Sequence, residues 1–173
     1  GNYEACIRPL EKVTLAGEQQ ASLLEQVYVL LGDAYHQIGN HEESDRAYEL
    51  ALELNPDSPV TQNNYAYFLS LRGERLAQAR DMIESVIRRY PNEATYQDTY
   101  GWVLYMLGEY EQAEEWLRKA WEQSPGGEVS DHYGDVLHKL GRTQEAIARW
   151  LEALVDIEGE EKNAIEEKIQ DAQ

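Results

Sequence analysis

TYGWVLYMLGEYEQAEEWLRKAWEQSP, residues 99–125, decides the fold. Tyr100, Leu104 and Leu107 form one stripe before Gly108, and Ala113, Trp116, Leu117 and Ala120 form another after it. Such spacing puts each set on one face of an α-helix, so the stretch predicts two amphipathic helices joined at a glycine turn. Gly101 and Ala113 sit where the two backbones must approach closely. A helical pair of this size leaves apolar surface uncovered and needs similar neighbours.

The rest of the chain supplies them. Gly32, Ala66, Gly101 and Gly134 recur at steps of 34, 35 and 33 residues, and the turn glycines Gly39, Gly73, Gly108 and Gly141 recur at the same steps. Pro56, Pro91 and Pro125 follow at 35 and 34. Three classes of position share one period, the signature of a helical solenoid built from helix–turn–helix units.

At these residues the sequence resembles the tetratricopeptide repeat family, in the style of bacterial members. The family motif has small residues at positions 8, 20 and 27, bulky ones at 11 and 24, a turn glycine, and proline at 32. Residues 25–58 match with Gly32, Tyr35, Gly39, Ser44, Tyr48, Ala51 and Pro56. Residues 59–93 match with Ala66, Leu69, Gly73, Ala79, Ile83, Val86 and Pro91, with one extra residue in the turn GERLAQA. Residues 94–126 match with Gly101, Leu104, Gly108, Ala113, Leu117, Ala120 and Pro125. Residues 127–158 match with Gly134, Leu137, Gly141, Ala146, Trp150 and Ala153, and Glu158 stands where proline is expected. The aromatic often found at position 4 survives as Tyr28, whereas Gln62, Gln97 and Ser130 replace it elsewhere.

The resemblance implies an all-α fold, a right-handed superhelix (α-solenoid), in one domain of residues 1–173. Residues 1–24 read as an N-terminal half-repeat and linker, with Gly1 as a turn glycine and Cys6 at the small position 20. Pro9 is expected to kink or shorten that helix, because it lacks an N–H and crowds the preceding turn. The spacing from Gly1 to Gly39 leaves room for an extra helical turn, so a long helix is expected from near Gln19. Residues 159–173 carry Ile165 and Ile169 on an otherwise charged helix, read as the terminal cap that a solenoid needs.

The charge is −18, from 33 acidic and 15 basic residues. Such a surface repels phosphate backbones, which argues against nucleic acid and for partners of basic character; adaptation to high salt gives the same composition. No apolar run reaches the ~18 residues of a membrane span, so direct membrane insertion of this segment is not expected. A single cysteine excludes an internal disulfide and a cysteine-rich metal site. The compartment stays open between cytoplasmic and bacterial periplasmic or envelope-associated.

In this family the first helix of each unit lines a concave groove, which implies groove positions 2, 5, 6, 9, 12 and 13. The candidate partner-binding residues there are Asp33, His36, Asn63, Asn64, Tyr67, Asp98, Trp102, Tyr105, Met106, His132 and Asp135. Tyr67, Trp102, Tyr105 and Met106 do not occupy the packing positions of the repeat. Large rings in a groove supply contact area at modest entropic cost, asparagines can pair with a bound backbone, and Asp33, Asp98, Asp131 and Asp135 favour a basic ligand group. The alternative for the rings is packing against neighbouring first helices. The carboxylate clamp of tetratricopeptide co-chaperones is not expected, because of its positions only Asn64 matches and Asp33 would repel a carboxylate.

His132, Asp135 and His138 are spaced so that two could share a metal ion but three would strain to, and they read first as polar groove residues. Cys6 has no evident histidine partner, and there is no nucleophile elbow or phosphate-cradling glycine loop. The sequence therefore reads as a non-catalytic scaffold or adaptor, without a cofactor, that receives a peptide segment of a protein partner. The alternative is a self-assembly module, a homo-oligomer stacking through exposed solenoid ends as a fragment of a longer array.

Overall fold

The computed structural model describes residues 3–15 and 21–173, and among them every regular element is a helix. In order these are α1 Tyr3–Leu15, α2 Ala21–Gln37, α3 His41–Leu54, α4 Pro59–Leu71, α5 Leu76–Arg89, α6 Ala94–Met106, α7 Tyr110–Gln123, α8 Gly127–Lys139, α9 Thr143–Ala153 and α10 Gly159–Asp171. No helix among the described residues is long and apolar enough to cross a membrane. The chain divides into two compact units, one through Phe68 and one from Leu69.

The α6–α7 hairpin shows how the pattern becomes structure. Gly108 has φ +81°, a left-handed conformation that costs an L side chain but not glycine. Its N–H donates to the Tyr105 carbonyl at 2.9 Å, and the Glu109 N–H to that of Leu104 at 2.9 Å. These paired bonds satisfy carbonyls that the helix end leaves open. The turns at Gly39, Gly73 and Gly141 repeat the arrangement. Beyond the turn, Leu117 comes so close that a Cβ on Gly101 would lie 2.6 Å from its Cγ. Leu104, Ala113, Leu117 and Ala120 are fully buried.

In the first unit, Gly32 lies under the Tyr48 ring in the same way, and the Ser44 hydroxyl donates to the Gly32 carbonyl at 2.8 Å. Ile7, Val27, Leu31, Ala34 and Ala47 form the core between α1, α2 and α3, with Leu10, Val13, Tyr28 and Tyr35 packed on it. The Tyr35 hydroxyl donates to Glu11 at 2.6 Å, tying α2 to α1.

Pro9 lies inside α1, which runs on to Leu15, and one expectation for this N-terminal segment needs correcting. Cys6 is exposed, not at a small packing site; α1 instead turns Ile7, Leu10 and Val13, three residues apart, onto α2. The expected start near Gln19 lies outside the described residues, and the described helix from Ala21 has 17 residues against 13 in α4, α6 and α8.

The glutamines at position 4 have a physical role. Gln62 Nε2 donates to the Pro56 carbonyl at 2.8 Å, and Gln97 Nε2 to the Pro91 carbonyl at 2.7 Å. In the fourth repeat the Ser130 hydroxyl accepts from the Gly126 N–H at 2.9 Å. Each polar side chain thus satisfies a backbone group of the preceding loop, so position 4 fastens the loop to the helix that follows it. The extra residue after Gly73 is absorbed by Arg75, which stands left-handed at φ +45° before α5.

Candidate interaction site

In the first unit the predicted residues fall into two groups. Asp33 accepts hydrogen bonds from the Tyr48 hydroxyl and from Asn64, and Asn63 Nδ2 donates to Asn64 Oδ1 at 3.2 Å. Burial raises the Asp33 pKa, and these two bonds only partly offset it. His36 stacks on Phe68 with ring centres 3.8 Å apart, and the Tyr67 ring lies tilted to Phe68 with centres 5.9 Å apart. Neighbouring groove positions line a cavity of about 370 Å³ formed by Gln26, Val29, Leu30 and Val60, with Glu25 and Ser58. Leu30 and Val60 are half exposed.

The second unit brings together more of the predicted residues. From α8, His132 Nδ1 lies 3.1 Å from both carboxylate oxygens of Asp98 on α6. Both residues are buried, at 4% and 7% exposure. Burial pulls His132 toward the neutral form, but Asp98, with Glu128 and Asp131, outweighs it and leaves the pKa above its ordinary value. The imidazole stacks on the Trp102 indole at 4.1 Å, and Tyr105 stacks on the other side of Trp102 at 4.8 Å. Asp98, His132, Trp102 and Tyr105 therefore form one continuous ladder across α6 and α8. The Trp102 N–H is buried and has no acceptor among the described residues. Met106 is half-buried at the end of α6, near Gly73.

Next to the ladder stand Asp131 and Asp135, and here the sequence reading missed a residue. Lys168 of α10 reaches back with its Nζ 2.8 and 3.0 Å from the two Asp131 oxygens and 2.8 and 2.9 Å from those of Asp135. The Trp150 N–H donates to Asp135 Oδ1 at 3.0 Å, bracing it from α9. Burial and then Asp135 raise the Asp131 pKa, against the pull of Lys168. Tyr105 is pushed up to about 12, by burial first and then by Asp135. A cavity of about 260 Å³ opens there, lined by Tyr105, Asp135, His138, Trp150, Lys168 and Asp171 among others.

His132 and His138 turn to different neighbours, Asp98 for one and Trp150, 5.4 Å away, for the other. Among the described residues no three His, Cys, Asp or Glu side chains gather as a metal-binding group.

A family model described as Tetratricopeptide repeat matches residues 2–158. The TPR repeat-containing protein PA4667 of Pseudomonas aeruginosa is 35% identical over 93 residues, covering 54% of this chain and 15% of the relative. The TPR repeat-containing protein MJ1428 of Methanocaldococcus jannaschii is 26% identical over 138 residues, covering 80% and 24%. The chain thus spans a quarter or less of the length of these relatives. Among solved structures, PilW, described as a widely conserved type IV pilus biogenesis factor, aligns with TM-score 0.79 at 18% identity over 99% of this chain and 78% of that one. A thermophilic TPR protein of Thermus thermophilus aligns with TM-score 0.76 at 19% identity, over 99% and 91%.

Proposed function

The chain belongs to the tetratricopeptide repeat family, and on that premise we propose that it is a non-catalytic scaffold whose second unit receives a peptide segment of a protein partner on the α6–α8 face. The observation that carries this is the Asp98–His132–Trp102–Tyr105 ladder. The two central rings are held rigid by stacking, and a pre-ordered aromatic surface loses little side-chain freedom on binding. Asp131 and Asp135, half-buried beside it, give the surface its preference for a basic residue. PilW is described as a pilus biogenesis factor; at 18% identity the likeness is one of fold, and the partner here is defined by chemistry alone.

The test is binding of a panel of lysine-rich synthetic peptides, followed by calorimetry at low salt, to the wild type and to Trp102→Ala. Truncation removes two stacked contacts of ~0.5–1.5 kcal/mol each, so a modest loss of stability with unchanged helicity is expected. Affinity for the tightest peptide should fall tenfold or more. Equal affinity in the two proteins would show that the rings serve only to pack the two helices together.

A further inference from the structure

We propose that α10 is a displaceable internal occupant of the acidic end of this surface, and that a partner binds by setting its own lysine or arginine between Asp131 and Asp135 in place of Lys168. The proposal rests on the reading of the α6–α8 face as the partner surface, and it names what that surface recognises.

Two carboxylates this close need a cation between them, and the structure shows how one is taken. The Lys168 ammonium touches all four oxygens within 3.0 Å. The receiving side belongs to the repeats: Asp131 and Asp135 lie one helical turn apart on α8, and the Trp150 indole holds Asp135 from α9. The delivering side belongs to α10, whose grip is slight. Ile165 is its one buried residue, and only Lys168 and Ile169 of its second half, with Ala172 just beyond its end, are half-buried. Lys168 keeps 32% of its side chain exposed, against 20% and 13% for the two aspartates. The cation is therefore more accessible than the acids that bind it, as an exchangeable ligand should be.

The surroundings suit a second chain carrying the same group. The cavity of about 260 Å³ beside Lys168 is walled by Tyr105 and Trp150, and the Lys168 ammonium lies 6.0 Å from the Trp150 ring centre. A partner lysine entering there meets two carboxylates and an aromatic face. Tyr105 is also the outer ring of the ladder, so the cation subsite and the aromatic surface are continuous. A partner carrying a basic residue next to an apolar or aromatic one can engage both at once.

The experiment titrates octalysine into the full chain by calorimetry at low salt, for the wild type, Lys168→Met, Lys168→Arg and the double variant Asp131→Asn/Asp135→Asn, with octaglutamate as control. Removing the internal competitor should tighten octalysine binding roughly two- to fivefold in Lys168→Met, the range expected when one partly exposed ion pair no longer competes. Lys168→Arg should stay near wild type, and the double aspartate variant should bind more weakly than either. In parallel, hydrogen exchange on the wild type should show amides of residues 159–171 exchanging faster at saturating octalysine while residues 94–153 do not. Binding to the wild type with no gain in Lys168→Met, or with α10 exchange unchanged, overturns the displacement and leaves the partner surface standing. Full binding by the double aspartate variant places the lysines elsewhere on the acidic surface and likewise overturns it. No binding to any of the proteins refutes the basic-partner reading itself. If Lys168→Met fails to fold, the wild-type exchange measurement decides alone.

Discussion

Replacing Gly101 with alanine tests the helix pair on which the site is mounted. A methyl at 101 would lie 2.6 Å from Leu117 Cγ, 3.0 Å from its Cδ2 and 3.1 Å from its backbone nitrogen. The side-chain atoms can rotate away, but the nitrogen belongs to α7 and moves only if the helices separate. Overpacking of this kind costs about 1–3 kcal/mol, and because a backbone atom is involved the upper half of that range applies. Alanine returns about 0.8–1 kcal/mol over glycine as a helix former. The net loss is then about 1–2 kcal/mol, or a fall in Tm of about 2–8 °C for a chain of this length. Thermal unfolding followed by far-UV circular dichroism measures it. The double variant with Leu117→Ala adds a sharper test. Leu117→Ala alone should cost about 2–5 kcal/mol, and the added methyl at 101 should fill part of the space it leaves, so the pair should cost less than the sum by at least ~0.5 kcal/mol. Ala66 occupies this position in the second repeat and is fully buried, so a methyl is compatible with the repeat itself. An unchanged or raised Tm for Gly101→Ala, or strict additivity with Leu117→Ala, would refute the close approach.

The buried His132 should make stability depend on pH. Its folded pKa lies above the unfolded value of 6.5, so its contribution is complete below that value and is lost as pH rises through the folded pKa. Tm should therefore decline with rising pH above about 6.5, and His132→Gln should flatten the decline; an identical slope in the variant would assign the effect to other groups. Tyr35→Phe removes the hydrogen bond to Glu11 that ties α2 to α1. At about 1 kcal/mol the amides of α1 should exchange roughly fivefold faster, with those of α6 to α9 unchanged; uniform acceleration across the chain would show that α1 is not an independently opening element.

How far the sequence reached depends on what kind of regularity carries each feature. The hairpins were legible because glycine or alanine at one position, glycine at the turn and a large residue at position 24 each serve a single geometry, repeated. Gln62 and Gln97 read only as departures, because the carbonyls they bind belong to loops that the periodic pattern does not describe. Cys6 misled because one turn glycine fixes no register for α1, which turned Ile7 into the core formed with Val27, Leu31, Ala34 and Ala47. The ladder was half visible. Trp102 and Tyr105 stood outside the packing pattern, and Asp98 and His132 are 34 residues apart, one period, which is the separation at which neighbouring first helices face each other. Lys168 was out of reach, because α10 is not a repeat and nothing in the period sets its register against α8.

That last residue changes what the acidity of the chain means. A charge of −18 suggests a surface open to any polycation, yet the groove carboxylates singled out for that role are already engaged. Asp33 accepts the hydroxyl of Tyr48, a fully buried ring in the first unit. Asp98 is paired with His132, which is itself buried and pinned by Trp102. Neither partner can leave without dismantling packed structure, so neither carboxylate is offered to a ligand. Asp131 and Asp135 differ in one respect that matters: their cation comes from a helix held by a single buried side chain. Exchange of one ammonium for another leaves the charge balance intact and exposes only what α10 covered. Under the displacement proposed above, specificity for a basic partner would lie in the ease with which the internal lysine departs, and the total charge of the chain would govern how fast that partner arrives.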